Sequence, residues 1–289
     1  MEANVEKYWA GRAAEYAETA YKQEERYPFY QVRLNLALDM LGGRAAGKIL
    51  DAGCGGGNVL LSFLKQGWDG YGVDAVDEMT VLAKENLRTN GFEESRIQKS
   101  SITDLSSYGS ESFDVVVCMG VMEYLRPEAE KKAFADIRRI LKPDGLFLVE
   151  NINNLFDLST FNRFTVKFYE EHFLSKFFED AAERDRLTEG LESLIANPQK
   201  PSKQGPYSTT RDKVFTKSEI PLTYGEKVKV YGFTEQEQAF YRFHAVPPLM
   251  FENNPPLEKK AVEYELKYSR HWIGNFLASG FISALVKTP

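Results

Sequence analysis

Ile49-Leu50-Asp51-Ala52-Gly53-Cys54-Gly55-Gly56-Gly57-Asn58 is the stretch that decides how this chain folds. It reads as the end of a buried strand, a turn too tight for side chains, and the start of a helix. Asp51, Gly53, Gly55 and Gly57 give the spacing D-x-G-x-G-x-G. Alternate glycines let the backbone take positive φ and let a ligand approach the main chain closely. The helix that follows offers unpaired N–H groups and a partial positive charge. Together these make a binding edge for a nucleoside-containing small molecule. A dinucleotide fingerprint would need G-x-G-x-x-G. Its third glycine falls at position 58, which is Asn58, so that pattern fails.

Working outward, Trp68-Asp69-Gly70-Tyr71-Gly72-Val73-Asp74 reads as a second short strand ending in an acid. A carboxylate there can accept two hydrogen bonds from a ribose cis-diol and would repel a 2′-phosphate; a helix N-cap is the plainer alternative. Met79 to Leu87 has apolar residues at helical spacing, with Asn90-Gly91 as its C-cap. Most of that face is core, and Met79 suits either core or an aromatic ligand face. Phe113 to Gly120 is a β-branched strand buried on both faces. Val121 to Leu125 opens a helix, and Ala133 to Leu141 is amphipathic. Lys142-Pro143-Asp144-Gly145 is a turn, with Pro setting φ and Gly taking the left-handed position. Leu146 to Asn151 is the fifth strand. Strand and helix signals thus alternate from Lys48 to Glu150, which implies βαβ units and a parallel sheet with helices on both faces.

In this order and spacing the motifs resemble those of class I S-adenosylmethionine (SAM)-dependent methyltransferases. The resemblance implies an α/β fold. Its doubly wound, mostly parallel seven-stranded sheet ends in an antiparallel C-terminal edge pair, and here it carries a helical cap insertion. It implies SAM as cofactor and S-adenosyl-L-homocysteine as product. Asp51, Gly53, Gly55 and Gly57 become motif I. Asp74, with Ala75, takes the ribose hydroxyls, and Met79 lies against the adenine. Ser101 stands where the family usually has an Asp for the adenine amino group, which leaves Asp104 as a substitute; Ile102 would donate its backbone N–H to the ring. Cys118 and Met119 pass the sulfonium end. Tyr8, Arg12 and Tyr16 belong to a lid whose cation could fork onto the methionyl carboxylate, with Arg33 as a further candidate. A surface helix packing its aromatic residues on the core is the alternative for that lid.

The chain has 289 residues, 13% of them aromatic and 43% hydrophobic, enough for one α/β domain with an insertion or two small domains. We divide it into an N-terminal helical lid (1–43), a SAM-binding core (44–150), a substrate-cap insertion (151–225) and C-terminal strands completing the sheet (226–289). The cap carries Phe161, Phe164, Phe168, Phe173, Phe177 and Phe178, for an apolar acceptor pocket or for its own packing. Its later part, Asn197 to Pro206, is loop-like. Strands are expected at Gln238 to Ala245 and Phe281 to Lys287, with a helix over Glu258 to Arg270. A net charge of −6 without a dense Lys/Arg run argues against nucleic acid. No apolar run approaches the ~20 residues of a membrane span, and Met1 to Lys7 lacks a secretion signal. Cys54 and Cys118 form neither a disulfide framework nor a metal spacing, so no metal is expected. These features read as a soluble cytoplasmic enzyme with a small-molecule substrate; a homodimer is also open.

Methyl transfer leaves the protein mainly proximity and orientation to supply, and an oxygen acceptor usually needs a general base. His172 in the cap, His244 near the penultimate strand and Tyr124 are the catalytic candidates. Glu123, Glu150 and Asn151 are comparable, and His271 is less favoured. The function read is transfer of a methyl group to oxygen or nitrogen of a secondary metabolite, saccharide or cofactor precursor. The alternatives are a SAM-binding protein without transfer, a non-methylating SAM enzyme, or a peptide methyltransferase.

Overall fold

The computed structural model describes residues 3–20, 28–195, 213–244, 246–248, 262–263, 265 and 267–288. Seven strands form one sheet in the order β3-β2-β1-β4-β5-β7-β6. They are β1 (Lys48–Ala52), β2 (Asp69–Asp74), β3 (Ile97–Lys99), β4 (Phe113–Cys118), β5 (Leu141–Ile152), β6 (Phe233–Phe243) and β7 (Ala278–Lys287). β1 to β5 pair in parallel, and β7 runs antiparallel between β5 and β6. Both C-terminal strands are longer than the sequence pattern indicates. The helix expected over 258–270 and the loop at 197–206 fall largely or wholly outside the described residues.

Strand parity sorts the core into two layers. Val115, Val117 and Leu148 join Val32, Leu34 and Ala37 of α3 (Phe29–Met40) and Phe63 of α4 (Asn58–Lys65) on one face. Val116, Cys118, Phe147 and Val149 meet Phe134, Ile137 and Ile140 of α6 (Pro127–Ile140) on the other. Alternate side chains point to opposite faces, so a strand apolar at every position must be covered twice. α5 (Asp77–Thr89) packs on α4 through Leu60, Leu64, Ala83 and Leu87.

Three local readings change. Lys142–Gly145 is a bulge inside β5, because Phe113 pairs with Leu141 whereas Val115 pairs with Leu146. Val121 to Leu125 opens no long helix: a single 3₁₀ turn spans Met122–Tyr124, and α6 starts at Pro127, which fits a first helical position. The N-terminal segment is two helices, α1 (Ala3–Ala10) and α2 (Ala13–Thr19), broken at Gly11-Arg12.

The insertion leaves from the carboxyl end of β5. It holds a 3₁₀ segment (Leu155–Ser159), α7 (Arg163–Tyr169), a π-helical turn (Glu170–Leu174) and α8 (Ala181–Leu194). The chain returns through residues 213–220 into α9 (Pro221–Lys229), so the boundary read at 225 lies inside a helix. Asn153 fixes the exit point. Its Nδ2 donates to the carbonyls of Gly274, Asn275 and Ala278 at 3.2, 2.9 and 2.7 Å, and its Oδ1 accepts from Leu155 N–H at 3.0 Å. Asn153 is fully buried. Truncation would orphan several of these groups, and each such loss costs about 1–3 kcal/mol. Asn153→Ala is therefore expected to lower stability by roughly 2–4 kcal/mol, read as a lower urea midpoint at unchanged slope.

Candidate functional site

After β1 the chain turns out to β2 and β3, then returns to β4 on the other side of β1. The order reverses there, and open α/β sheets bind their ligands at such a point, beyond the carboxyl ends of the strands. The glycine turn lies there. Gly53 has φ 88°, and a Cβ at that position would lie 2.1 Å from Cγ2 of Val121, so only glycine fits between the turn and the chain leaving β4. Gly53 and Cys54 donate their N–H groups to Val73 O at 2.8 and 2.9 Å. Gly57 caps α4.

Asp74 is the organising side chain. Its Oδ2 accepts from Gly55 N–H and its Oδ1 from Val76 N–H, both at 2.9 Å. It is not the cap of α5, a place taken by Val76. The backbone N–H of Ala75 also favours its charged form, and the carboxylate keeps acceptor capacity for a diol. Burial raises its pKa above the ordinary carboxylate range. Asp51, 1% exposed, lies beneath the turn, with Oδ2 accepting from Leu60 N–H at 3.1 Å. Burial, reinforced by Asp74, pushes it up to about 7.

Ser101 binds Thr103, Oγ to Oγ1, at 2.9 Å and Ile102 is buried in the core. Asp104 does not swing in: it is exposed, and its Oδ1 accepts from Ser106 Oγ at 2.7 Å, which lowers its pKa. Met79 is buried with Val76 against Ala13, Trp9 and Tyr16 of the N-terminal helices. Cys118 is fully buried, so its backbone rather than its thiol can face a ligand, and Met119 packs in the core.

α1 and α2 lie over this edge. A Cβ at Gly55 would be 3.5 Å from the Tyr16 hydroxyl. Arg12 donates to the Tyr8 hydroxyl at 3.0 Å and pairs with Glu15 at 2.8 Å. Arg33 is buried and pairs with Glu150 at 2.7 Å.

A polar cluster occupies the β4–β5 end of the crevice. Glu150 holds Arg33 with Oε2 and the Tyr241 hydroxyl with Oε1. A Cβ at Gly120 would lie 3.2 Å from Arg33 Nη1, 3.7 Å from Glu150 Oε2 and 3.8 Å from Glu123 Oε1, so the three groups share one spot. Burial, and then Glu150, raises the Glu123 pKa well above the ordinary range. Tyr124 is buried, edge-on to Trp9 at 6.0 Å, and clustered with Val5 and Val214.

The two histidines do not join this cluster in the same way. His244 follows β6 and packs on Phe156 at 4.8 Å, with Nδ1 3.0 Å from Arg242 O. Burial, then Arg242, pulls its pKa down to about 3, which makes it a poor proton acceptor at neutral pH. His172 lies on the π-helical turn in the cap, its ring 4.5 Å from Phe168. Sequence reasoning did not single out Tyr241 or Lys217. Lys217 N–H of the return segment donates to Glu123 O at 2.9 Å.

Residues 50–149 match the family model described as a methyltransferase domain. A ubiquinone biosynthesis O-methyltransferase of Acinetobacter baumannii is 28% identical over 136 residues, covering 46% of this chain and 56% of that protein. An uncharacterized Haemophilus influenzae protein is 34% identical over 107 residues, 36% of this chain and 42% of that one. The match thus spans about half the length of these curated relatives. The fold is also that of two solved methyltransferases with bound S-adenosylhomocysteine. One is the Burkholderia thailandensis 1,6-didemethyltoxoflavin-N1-methyltransferase, at TM-score 0.55 and 17% identity over 99% of this chain and 88% of that one. The other is the Synechocystis magnesium protoporphyrin IX methyltransferase, at TM-score 0.57 and 11% identity over 98% of each. Residues 50–149 form a class I SAM-dependent methyltransferase domain. The glycine turn and Asp74 of this methyltransferase domain suit a nucleoside with a free cis-diol. No described helix is long and apolar enough to cross a membrane.

The buried acid of motif I gives a pH signature. The folded value of Asp51, about 7, lies above the ordinary 3.8. Neutral Asp51 therefore favours the folded state, and that contribution, complete below about pH 4, is lost as pH rises through about 7. Asp51→Asn keeps the acceptor for Leu60 N–H and should flatten this decline by roughly 2–4 kcal/mol, measured by urea unfolding from pH 4 to 8 without cofactor.

Proposed function

We propose that this chain is a methyltransferase acting on oxygen or nitrogen of a small-molecule acceptor. The observation that carries the reading is the Asp74 carboxylate. Two backbone N–H groups hold it in place beside the glycine turn, at the point where the strand order reverses. Bound SAM supplies an activated methyl group on a sulfonium centre. Asp74 and Ala75 hold the ribose. Gly53, Gly55 and Gly57 let the ligand against the backbone, above the buried brace of Asp51. Met79, Ser101 and Ile102 border the adenine, with Cys118 and Met119 beside the reacting end. Tyr8, Arg12 and Tyr16 cover the methionyl part. Residues 1–43 act as lid, 44–150 as cofactor core and 151–225 as substrate cap, while 226–289 complete the sheet.

The named relatives act on small molecules, an O-methyltransferase of ubiquinone biosynthesis and a toxoflavin-precursor N-methyltransferase, and this supports the acceptor class. The chain's own contribution is orientation and water exclusion by the aromatic side chains above the crevice.

Asp74→Ala should weaken S-adenosylhomocysteine binding about 10- to 100-fold, the worth of one or two hydrogen bonds to a charged group. Calorimetric titration of the folded variant tests this, and unchanged affinity would remove the ribose assignment. Label from methyl-labelled SAM should appear in a small-molecule fraction. Label confined to peptides, or binding without any transfer, would replace this reading.

A further inference from the structure

The cluster beyond β4 holds one carboxyl whose chemistry is not spoken for. Both oxygens of Glu150 are engaged, by Arg33 and by Tyr241. Among the described residues, Glu123 Oε2 is a buried oxygen with no hydrogen-bond partner. An uncompensated buried polar atom costs stability, so a fold that keeps one at its crevice invites a ligand group there. The groups facing Glu123 come from every element around it. They are Arg33 of α3, Glu150 of β5, Lys217 of the return segment, its neighbour Tyr124 and Cys118 at the end of β4. Two cations, one further carboxylate and its own backbone N–H surround the Glu123 carboxyl, and its Oε2 is left without a hydrogen bond.

What lies around it is flat and aromatic. Six rings run in unbroken contact from Tyr241 to Tyr124, the first pair tilted and the other four edge-on. The steps are Tyr241–Phe29 at 5.7 Å, Phe29–Tyr30 at 5.1 Å, Tyr30–Tyr16 at 5.6 Å, Tyr16–Trp9 at 6.4 Å and Trp9–Tyr124 at 6.0 Å. This belt begins at the partner of Glu150 and ends at the residue after Glu123. It offers faces and edges for an aromatic ring.

We infer that Glu123 Oε2 is the general base of the reaction, and that the acceptor is an aromatic molecule with an acidic hydroxyl or ring N–H. The inference rests on the methyltransferase reading above and names its substrate class. In the step, the O–H or N–H bond of the acceptor breaks and the proton passes to Oε2. The electron pair left on the acceptor forms the new bond to the methyl carbon. The carbon–sulfur bond breaks, and sulfur keeps that pair as the neutral thioether. A carboxylate raised by burial can take a proton from a phenol in the transition state but is far too weak for an aliphatic alcohol, and a neutral amine needs no base. The class follows from that match.

The test uses the full chain, S-adenosylhomocysteine, and a panel of phenols and hydroxypyridines graded in acidity, with methyl-labelled SAM as donor. Glu123→Gln should bind S-adenosylhomocysteine within about two-fold of the parent, since it lies outside the ribose and adenine contacts. It should lose about 100- to 10,000-fold in kcat on weakly acidic phenols and much less on nitrophenols that ionise unaided. Formate should partly restore Glu123→Ala. In the parent, a carbon-13 glutamate carboxyl resonance should titrate well above the ordinary range and be absent from Glu123→Gln. Equal losses across the panel, or no loss, would overturn the base assignment. Binding of S-adenosylhomocysteine with no label on any panel member would overturn the acceptor class. Failure of the parent to bind S-adenosylhomocysteine at all would instead sink the reading beneath it.

Discussion

The carboxylate of Asp74 is the constraint on which the working edge of this sheet depends. It sits at the tip of β2 yet bonds to the turn after β1 through Gly55 and to the entry of α5 through Val76. Three segments are tied at one point. The turn itself has no side chains to pack, so without such a tie its backbone donors would be free to reorient. Asp51 braces the same turn from below by holding Leu60 N–H, while Val121 closes it from the β4 side. The crevice is therefore rigid where a nucleoside would be held. That rigidity comes from two acids that both sit above their ordinary pKa because the fold has buried them.

The other end of the crevice follows a different logic. Arg33, Glu150 and Tyr241 form a buried ionic group spanning α3, β5 and β6. Such groups seldom add net stability, since desolvation offsets most of the Coulombic gain, but losing one member strands a buried charge. Here each oxygen of Glu150 has its own donor. Glu123, alongside, is left with an unmatched oxygen. The contrast between a saturated carboxylate and an unsaturated one beside it is what the base proposed for Glu123 rests on.

Much of the edge was legible in the sequence because local rules govern it. Motif I, the acid of β2 and the β-branched run of β4 are each decided by turn chemistry or by period-two burial, and all lie within a few residues of their consequences. The polar cluster was not legible. Glu150 meets Arg33 across 117 residues and Tyr241 across 91, and no periodicity announces such a pair. His244 was weighed as a base because histidines titrate near neutrality, yet burial against Phe156 takes it out of that range. Asp104 reads as a stand-in for the missing adenine acid, but its own Ser106 satisfies it first. The bulge at 142–145 escaped because Pro and Gly signal a turn without saying whether the strand has already begun.

Two covers meet over the 3₁₀ turn that carries Glu123 and Tyr124, and they are held by different forces. The return segment is tied by direction-sensitive bonds. Lys217 N–H reaches Glu123 O, and Glu219 N–H reaches Ile152 O at 2.8 Å. Lys217 and Lys227 share Glu130 and Glu219, with Lys217–Glu219 and Lys227–Glu130 both at 2.8 Å. The N-terminal helices are short and pack Val5 and Ala13 into apolar clusters alongside ring contacts, each ring contact worth only about 0.5–1.5 kcal/mol beyond burial. Short helices also contribute little stability of their own. The Glu123 backbone is held by Lys217 N–H of the return segment, while Trp9 and Tyr16 of the N-terminal helices lie in the aromatic belt beside it. A base that must stay put while its substrate enters and leaves is best built in that arrangement.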